Sequence, residues 1–429
     1  MDEFRNASMA VLHLALLRMN PEGASPQLIY MDNAATSYPK PDGVYNAADQ
    51  YFRQAGNPGR GGHKLALNSA RQIFEVRDKV AKFLKVRESE RLIFTPGCTY
   101  SINMVLHGLT KPNPITGHTP LKRGDAVLVS SLEHNALMRP LTRLSRELDL
   151  QIVKIPYEAG KIFSVAELRR LLNEVRPSLV ATVHASNVTG EAIDIGSVAA
   201  SCHVARTPLL IDAAQTAGLE KQHLIHPGIS FWCASAHKGL LGQPGLGLLH
   251  VSKEYELESL IAGGTGSASE ELNMPAVYPD RLEPGTAAGP AIAALGAGVD
   301  FLESVGADVI LQHEIRLSDA FISFLKASNN IRVYSPGNVN NSGSIIPRVA
   351  NVSFAVPGMS ADRVVDILDK EFNIAARGGL HCAALAHETL GTTKEGLVRL
   401  SFGFFNTEAE VNELARAVHE ISQRAAATA

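Results

Sequence analysis

The amino-acid sequence predicts an α/β fold with a largely parallel sheet. Short apolar runs alternate with helical patterns from about residue 68 to residue 260, and this alternation is typical of βαβ units. The runs are almost continuously hydrophobic, which indicates strands that are buried on both faces. They are AVLVSS at 126–131, LVATVH at 179–184, PLLID at 208–212, FWCAS at 231–235 and LGLLHV at 246–251.

Helical patterns occupy the stretches between and after these strands. In residues 68–85 apolar side chains recur on one helical face behind a capping residue, and residues 136–148 and 164–175 repeat the pattern. Residues 262–290 are rich in Gly, Ser, Thr and Pro, which predicts loops. Beyond them, helices are expected at 291–304, 313–327, 360–371 and 407–425, and strands within 348–356 and 396–402.

The length of the chain indicates more than one domain. At about 100–200 residues per domain, 429 residues predict two or three domains, or a large domain with a smaller companion. The mixture of strands and helices toward the end predicts a smaller α+β domain. Residues 1–28 are expected to form an N-terminal extension. Its apolar stretch at 9–19 favours a short amphipathic helix or a disordered segment over a signal peptide, because Asp2 and Glu3 precede it.

Composition excludes several functional classes. The net charge of −3 argues against a nucleic-acid or membrane-surface partner, and no apolar run reaches the roughly 20 residues that cross a bilayer. The cysteines show neither C-x-x-C pairing nor metal-ligand spacing, so we predict free thiols, no metal site and a cytoplasmic location. They are Cys98, Cys202, Cys233 and Cys382.

Lys238 is the strongest candidate for a chemical role. It follows a predicted strand in FWCASAHKGLLGQPGLGLLHV, and ligands bind beyond the carboxyl ends of strands in such sheets. A lysine there can form an imine with an aldehyde cofactor, and Ser235 and His237 can donate hydrogen bonds to a phosphate. Taken alone, a lysine after a strand is more often a solvated surface residue.

Asp212 strengthens this hypothesis, since it ends another buried strand, LLID. A buried carboxylate needs a partner, and a protonated pyridine nitrogen is a suitable one. Gln215 lies three residues later and could reach a ring hydroxyl. A helix-capping role for Asp212 is an equally open alternative.

Three further strand ends carry polar residues. Cys98 and Thr99 lie between a strand and a helix, where free backbone N–H groups favour phosphate. His134 could stack on a pyridine ring, although a lone histidine is more often structural. Asn187 follows another predicted strand, ahead of the turn residue Gly190.

Together these motifs resemble a known family. The chain is similar to pyridoxal phosphate (PLP) enzymes of fold type I in the class V aminotransferase group, near the cysteine desulfurases and selenocysteine lyases. The resemblance spans about 29–423 and includes the opening segment MDNAATSYPKP at 31–41. The motifs that carry it are Glu-His-Asn at 133–135, Ser-Asn-Val-Thr-Gly at 186–190, Asp-Ala-Ala-Gln at 212–215 and Ser-Ala-His-Lys at 235–238.

The resemblance implies an architecture and a role for each residue. It implies a large PLP-binding domain at 46–299 with a mainly parallel seven-stranded sheet, and a small α+β domain at 29–45 and 300–429. Lys238 would hold PLP as a Schiff base, while His134 would stack on the ring and handle protons. The other implied cofactor contacts are Asp212 to the pyridine nitrogen, Gln215 to the ring oxygen, Thr99, Cys98, Ser235 and His237 to the phosphate, and Asn187 to the ring and substrate.

Gly285-Thr286 matches a family segment that reaches the phosphate bound to a partner subunit. The resemblance therefore implies that Thr286 contributes to a cofactor site and that the protein is a homodimer.

Cys382 narrows the reaction. It lies in ARGGLHCAALAHETLGT at 376–392, a Gly- and His-rich stretch that indicates an accessible loop, although a lone cysteine is usually buried. Arg377 and His381 could lower the pKa of its thiol. The run Arg-Gly-Gly-Leu-His-Cys-Ala resembles the segment that carries the persulfide-forming cysteine of SUF-type desulfurases.

A guanidinium fork can clamp the α-carboxylate of a substrate through two parallel hydrogen bonds. The resemblance implies substrate contacts for Arg399, Arg377, Asn187, Arg60 and His63. Gly59 stands where many relatives have a histidine, so any role of that histidine is absent.

The predicted function is a PLP-dependent cysteine desulfurase, which converts L-cysteine to L-alanine and leaves the sulfur on Cys382 as a persulfide for a reductant or an acceptor protein. Selenocysteine lyase, or another lyase or transaminase reaction on a small amino acid, remains open, because Lys238, Asp212 and His134 would serve all of them. A non-catalytic scaffold is a further alternative, against which the intact Lys238 argues.

Overall fold

The structure is a computed structural model that describes residues 28–59, 61–219, 223–337 and 346–428. The predicted N-terminal extension up to residue 27 and the predicted substrate contact Arg60 lie outside these described residues. The chain forms two compact units, a large one and a small one.

The described part of the large unit comprises 40–59, 61–186, 192–219 and 223–304, and that of the small unit comprises 28–39, Asn187–Glu191, 305–337 and 346–428. These boundaries lie a few residues from the predicted ones. The largest difference concerns Asn187–Glu191, which the sequence assigned to the large domain and the structure groups with the small unit.

Strands and helices are numbered here in chain order. The strands are β1 (Ile29–Tyr30), β2 (Leu92–Thr95), β3 (Ala126–Ser130), β4 (Gln151–Ile155), β5 (Leu179–Val183), β6 (Leu209–Asp212), β7 (Phe231–Ser235), β8 (Gly247–Val251), β9 (Arg332–Val333), β10 (Asn351–Ala355), β11 (Ile374–Ala375) and β12 (Val398–Ser401). The helices are α1 (Asp42–Gln54), α2 (Lys64–Phe83), α3 (Cys98–Leu109), α4 (Asn135–Leu148), α5 (Val165–Val175), α6 (Ile195–Ala205), α7 (Gly289–Val305), α8 (Ala307–Ala327), α9 (Ala361–Phe372), α10 (Ala384–Leu390) and α11 (Glu408–Thr428).

The large unit contains the predicted α/β sheet. Among its described residues the strand order is β2-β8-β7-β6-β5-β3-β4, and β3 to β7 pair in parallel while β8 runs antiparallel to both of its neighbours. The mainly parallel seven-stranded sheet is therefore confirmed. Its central strands are buried along their whole length, as their continuous hydrophobicity predicts. Residues of α3 and α4 share one core cluster with this sheet, including Ile102, Leu106, Leu137, Leu141, Val127 and Val129.

The sheet topology brings the carboxyl ends of several strands to one edge. Val183 at the end of β5 pairs with Asp212 at the end of β6, and Asp212 pairs with Cys233 of β7. Because β2 and β7 both run antiparallel to β8, the residues that follow β2 also emerge at this edge. The candidate residues at the ends of β2, β6 and β7 therefore lie along one edge of the sheet.

The small unit combines the antiparallel sheet β12-β10-β9 with the parallel pair β1 and β11. Helices α8, α9 and α11 pack against these strands through a core cluster that includes Leu317, Phe321, Val364, Leu368, Leu414 and Val418. Arg399 lies on β12, and β11 leads directly into the segment that carries Arg377 and Cys382. Of the helices in the described ranges, none has both the length and the apolar character that a bilayer crossing requires.

Candidate active site

Lys238 lies in a tight turn directly after β7. The backbone N–H of Gly242 donates to the Ala236 carbonyl (2.8 Å), and that of Leu241 donates to the Lys238 carbonyl (2.9 Å). Lys238 itself is partly buried. This turn holds the lysine at the carboxyl edge of the sheet, where the sequence placed it.

The turn that carries Lys238 lies against the segment that follows Asp212. A Cβ atom on Gly239 would come within 2.6 Å of the Ala217 carbonyl oxygen, and one on Gly218, whose φ is +97°, within 2.4 Å of the Gly239 carbonyl oxygen. Only glycine is compatible with so close an approach. These two glycines therefore allow the segments that follow β6 and β7 to pack directly on each other.

Asp212 is 7% exposed at the end of β6. Its Oδ1 accepts hydrogen bonds from the backbone N–H of Ala214 (2.9 Å) and from the thiol of Cys98 (3.4 Å). Burial raises the pKa of the Cys98 thiol, so this thiol is neutral and can donate. Residues 214–219 form turns and not a helix, so the helix-capping alternative for Asp212 is wrong. Both hydrogen bonds that the described residues make to this carboxylate end on Oδ1, which leaves Oδ2 for a cationic partner.

Helix α3 begins at Cys98, just after β2. Cys98 is buried, whereas Thr99 is exposed at the first turn, where backbone N–H groups have no partner within the helix. Ser235, the last residue of β7, is nearly buried. Thr99, which follows β2, and Ser235, which ends β7, thus lie at the same edge of the sheet.

Lys40 is a polar residue of the large unit that the sequence did not single out. It is nearly buried, and its Nζ donates to the backbone carbonyl of His237 (2.6 Å). Burial lowers the pKa of Lys40 to about 8. Burial, together with the charges of Lys238 and Lys40, lowers the pKa of His237 to about 4, so that His237 is neutral. The one sequence signal for Lys40 is its place at the end of MDNAATSYPKP.

His134 is the N-cap of α4, and its Nδ1 accepts from the backbone N–H of Ala136 (3.0 Å). The ring proton of the neutral imidazole therefore resides on Nε2. The preceding residue, Glu133, is fully buried, and its Oε1 accepts from Ser130 Oγ and from the backbone N–H of Val183 (2.9 Å). Burial is the main cause that raises the pKa of Glu133 to about 8. Glu133 begins the Glu-His-Asn motif, but nothing in the sequence predicted a role for it.

Three other predicted residues of the large unit lie in more open positions. Gln215 is half-buried in the turn after β6, and Thr286 is exposed in a loop where Gly285 N–H donates to the Gly264 carbonyl (2.7 Å). His63 is exposed and caps α2, since its Nδ1 accepts from the backbone N–H of Ala66 (3.3 Å). The substrate role predicted for His63 and the cofactor roles predicted for Thr286 and Gln215 remain predictions.

In the small unit, Arg399 is held from two sides. Its Nη2 lies 2.7 Å from Oδ1 of Asp32, and its Nη1 donates to the backbone carbonyl of Asn187 (3.1 Å). The guanidinium is 2% exposed. Asn187 in turn donates through Nδ2 to the His381 carbonyl (2.8 Å). The structure thus groups Asn187 with the predicted carboxylate clamp and with the loop that carries Cys382.

Cys382 is exposed, and its Sγ lies 3.9 Å from Nη2 of Arg377. Backbone hydrogen bonds in both directions join Arg377 to Arg399 (3.2 and 2.8 Å), so the edge of β12 anchors the start of this loop. Cys382 and His381 both have left-handed backbone conformations, with φ of 55° and 51°. Within the small unit, the structure therefore brings together the predicted thiol, its predicted cationic neighbour Arg377, Asn187 and Arg399.

The residues of the large unit fit PLP in chemical type. Lys238 supplies an amine at the carboxyl edge of the sheet, and Asp212 supplies a carboxylate whose Oδ2 can pair with a protonated ring nitrogen. The N-terminus of α3 supplies N–H groups and a favourable dipole for a phosphate.

Comparisons with known proteins identify the family. The profile of the family "Aminotransferase class-V" matches residues 29–414. A probable cysteine desulfurase of Methanothermobacter thermautotrophicus is 30% identical over 402 residues, which cover 92% of this chain and 94% of that protein. A cysteine desulfurase of Cronobacter sakazakii is 29% identical over 393 residues, which cover 90% and 91%.

Solved structures are similar over the same extent. The apo structure of a cysteine desulfurase from Thermococcus onnurineus NA1 matches with a TM-score of 0.82 and 28% identity, covering 92% of this chain and 95% of that one. The cysteine desulfurase CsdA of Escherichia coli, in an S-sulfonic acid form, matches with a TM-score of 0.80 and 26% identity, covering 97% and 98%.

Proposed function

This chain belongs to the class V aminotransferase family, and we propose that it is a PLP-dependent cysteine desulfurase that converts L-cysteine to L-alanine. The predicted family and fold are confirmed by these similarities, and the names of the relatives agree with the predicted reaction. The single observation that carries the proposed reaction is the exposed thiol of Cys382 beside the guanidinium of Arg377.

In this proposal Lys238 holds the cofactor and moves the proton of the substrate α-carbon. PLP, when bound, supplies an electron sink for the charge that develops on that carbon. Asp212 would hold the ring nitrogen in its protonated form, while the Cys98 thiol and the Ala214 N–H fix the orientation of the Asp212 carboxylate. His134 presents a proton on Nε2, because its Nδ1 is engaged at the start of α4.

Sulfur transfer is assigned to Cys382. Its thiolate attacks the substrate sulfur, so that an S–S bond forms while the bond between that sulfur and the substrate β-carbon breaks. The electron pair of the broken bond returns to the carbon skeleton, which takes up a proton and leaves as alanine. The guanidinium of Arg377, 3.9 Å from the thiol, places a positive charge beside the attacking sulfur. The persulfide then passes its sulfur to a reductant or to an acceptor protein.

Substrate binding is assigned to Arg399, whose guanidinium is oriented by Asp32 and by the Asn187 carbonyl. A carboxylate is the natural partner of such a group. Arg377, Asn187, Arg60 and His63 complete the proposed substrate contacts.

We also propose that the protein is a cytoplasmic homodimer in which Thr286 reaches the phosphate of the partner's cofactor. The dimer proposal is supported by large apolar side chains that are exposed on the large unit, a feature typical of protein interfaces. On α1 and α2 they are Tyr45, Phe52, Leu65, Leu67 and Phe74. Leu272 and Val277 lie in the loop between β8 and α7. The location is supported by the four cysteines, all of which are free. Analytical ultracentrifugation that finds a monomer would contradict the dimer.

The function is tested with purified protein, PLP and L-cysteine, measuring alanine and sulfide with and without a reductant. The wild type is expected to bind PLP and, with the reductant present, to form both products in equal amounts. Lys238→Ala is expected to lose cofactor attachment and activity. Cys382→Ser is expected to keep PLP but to lose cysteine desulfuration.

Selenocysteine, offered in parallel, separates the alternative reaction. Retained selenocysteine cleavage by Cys382→Ser with loss of desulfuration would identify cysteine as the substrate that depends on Cys382. Equal activity of Cys382→Ser and wild type on L-cysteine would refute the persulfide role. A wild-type protein that binds no PLP would refute the proposed function altogether.

A further inference from the structure

We propose that His387 is a positioning residue that acts through His381 to fix the reactive conformation of Cys382. The inference deepens the proposed function and rests on it in one respect, the role of Cys382 as the sulfur acceptor. His387 lies on α10, six residues after His381, and is 0% exposed.

His387 belongs to a continuous chain of hydrogen bonds inside the small unit. Its Nδ1 lies 2.8 Å from Oγ1 of Thr392, and its Nε2 lies 3.5 Å from Nδ1 of His381, at the long end of the hydrogen-bond range. The two imidazole rings are nearly parallel, with centroids 5.6 Å apart and planes inclined by 19°. Nε2 of His381 lies 3.3 Å from the backbone carbonyl of Arg377.

The Arg377 carbonyl sets the direction of every bond in this chain. A carbonyl only accepts, so Nε2 of His381 carries a proton and donates it. Nδ1 of a neutral His381 is then an acceptor, and His387 must donate to it from Nε2. Nδ1 of His387 consequently accepts from the hydroxyl of Thr392. Burial lowers the pKa of His387, which agrees with the neutral ring that this arrangement needs.

The chain holds a segment whose backbone needs support. His381 and Cys382 are consecutive non-glycine residues with left-handed φ of 51° and 55°, a conformation that persists only where its surroundings enforce it. The ring of His381 is held at both nitrogens, and its carbonyl accepts from Asn187 Nδ2 (2.8 Å). Cys382 is exposed, so the orientation of its side chain depends on the backbone conformation that His381 holds.

The same chain also engages Arg377, whose guanidinium lies 3.9 Å from the thiol. His381 therefore touches both elements on which thiol reactivity depends, the backbone of Cys382 and the residue that supplies the nearby charge. Cys382 also interacts electrostatically with Arg399, which is paired with Asp32. Loss of the His387 N–H donor would release His381 and allow the thiol to move away from Arg377.

The test measures the rate of Cys382 alkylation by iodoacetamide against pH, with the modified residue identified by mass spectrometry. The other cysteines, Cys98, Cys202 and Cys233, are buried. His387→Phe keeps an aromatic ring but removes both nitrogens, and we expect its alkylation rate at neutral pH to fall about tenfold because the thiol moves away from Arg377. His387→Gln keeps an N–H donor that can reach His381 and is expected to retain most of the rate.

Thr392→Val and Thr389→Val form a matched pair, since Thr389 lies on α10 and its Oγ1 donates along the helix to the Leu385 carbonyl (2.9 Å). We expect Thr392→Val to change the profile in the same direction as His387→Phe, and Thr389→Val to leave it unchanged. This pair keeps the inference testable if His387→Phe does not fold.

An unchanged alkylation profile in folded His387→Phe would overturn the inference. So would a lower melting temperature with no change in the profile, because a purely structural role predicts that result. Alkylation reports on the thiol alone. A wild type without desulfurase activity would therefore refute the proposed function, while the alkylation rates would still test whether His387 positions Cys382.

Discussion

Arg399 and Asp32 form an ion pair inside the small unit, with Nη2 and Oδ1 2.7 Å apart. The guanidinium is almost fully buried, whereas the carboxylate keeps partial access to solvent. A buried charge that loses its partner costs several kcal/mol, so Asp32 stabilises the buried guanidinium of Arg399, the group to which we assign the substrate carboxylate.

We expect Asp32→Asn to lower the free energy of unfolding by about 2 kcal/mol, since it leaves the charge of Arg399 uncompensated. A carboxylate ligand restores that charge, so saturating L-alanine should raise the melting temperature of Asp32→Asn more than that of the wild type. Thermal denaturation with and without L-alanine checks both expectations.

A matched control for this variant is Asp319→Asn, which breaks the pair with the buried Arg348 (2.7 Å) elsewhere in the small unit. It should lose stability without any gain in ligand response. Equal responses of the two variants to L-alanine would contradict the assignment of Arg399 as the carboxylate clamp.

The Cys98–Asp212 hydrogen bond predicts a specific effect on cofactor affinity. Cys98→Ala removes the thiol donor from Oδ1 of Asp212, and we expect the dissociation constant of PLP to rise roughly threefold to tenfold, as for the loss of one hydrogen bond of ordinary net strength. Cys98→Ser keeps a donor and should stay near the wild type. Titration of the apoprotein with PLP, followed by visible absorbance, measures the affinity.

Cys202→Ala serves as the control, because Cys202 is also a fully buried thiol but lies on α6. PLP affinity should be unaffected there. If Cys98→Ala bound PLP as tightly as Cys202→Ala, Asp212 would not depend on the thiol.

Glu133 predicts a pH dependence of stability. Its folded pKa of about 8 lies above the ordinary 4.5, so the folded protein keeps a proton that the unfolded chain releases between those values, and the stability of the wild type falls as the pH rises through this window. Glu133→Gln has the shape of the protonated carboxyl and no such loss. Its stability relative to the wild type should grow by about 1.4 kcal/mol per pH unit between pH 5 and 8.

Urea denaturation at several pH values measures this slope. Glu75→Gln, at an exposed position on α2, should show no pH-dependent difference from the wild type. Parallel stability curves for Glu133→Gln and wild type would mean that Glu133 is ionised in the folded protein.

The positions of Lys238 and Asp212 could be predicted from the sequence because both follow continuous apolar runs. Such runs form buried strands, and the carboxyl ends of parallel strands meet at one edge. The direction of β8 could not be read in the same way, since buried parallel and antiparallel strands have the same hydrophobicity. Strand β4 escaped prediction because it forms the edge of the sheet and exposes Gln151 and Lys154.

Residues that act through distant contacts were harder to find. Asn187 follows a strand of the large unit, and only the folded chain shows that it bonds to His381 and Arg399, about 200 positions later. His387 has no signal apart from its place in a His-rich segment, because its role depends on the left-handed turn at His381. Local pattern fixes neither long-range hydrogen bonds nor the conformation of such a turn.

Lys40 is a similar case, and its contact with the His237 carbonyl gives the last prediction. Its folded pKa of about 8 lies below the ordinary 10.5, so below pH 8 the folded protein bears the full cost of the buried ammonium. Between pH 8 and 10.5 the folded protein has released a proton that the unfolded chain still holds, and this cost is progressively relieved as the pH rises. Lys40→Met has no such contribution, so its stability relative to the wild type should decrease by about 1.4 kcal/mol per pH unit across that window.

Chemical denaturation at pH 8, 9 and 10 measures the difference, within the window that the two pKa values of Lys40 define. Lys64→Met, at the exposed start of α2, is the control and should follow the wild type at every pH. Lys40→Met should also change the visible absorption of bound PLP, because the carbonyl that Lys40 holds belongs to the residue before Lys238. An unaltered spectrum together with a pH-independent stability difference would show that Lys40 neither carries the lowered pKa nor positions the turn that bears Lys238.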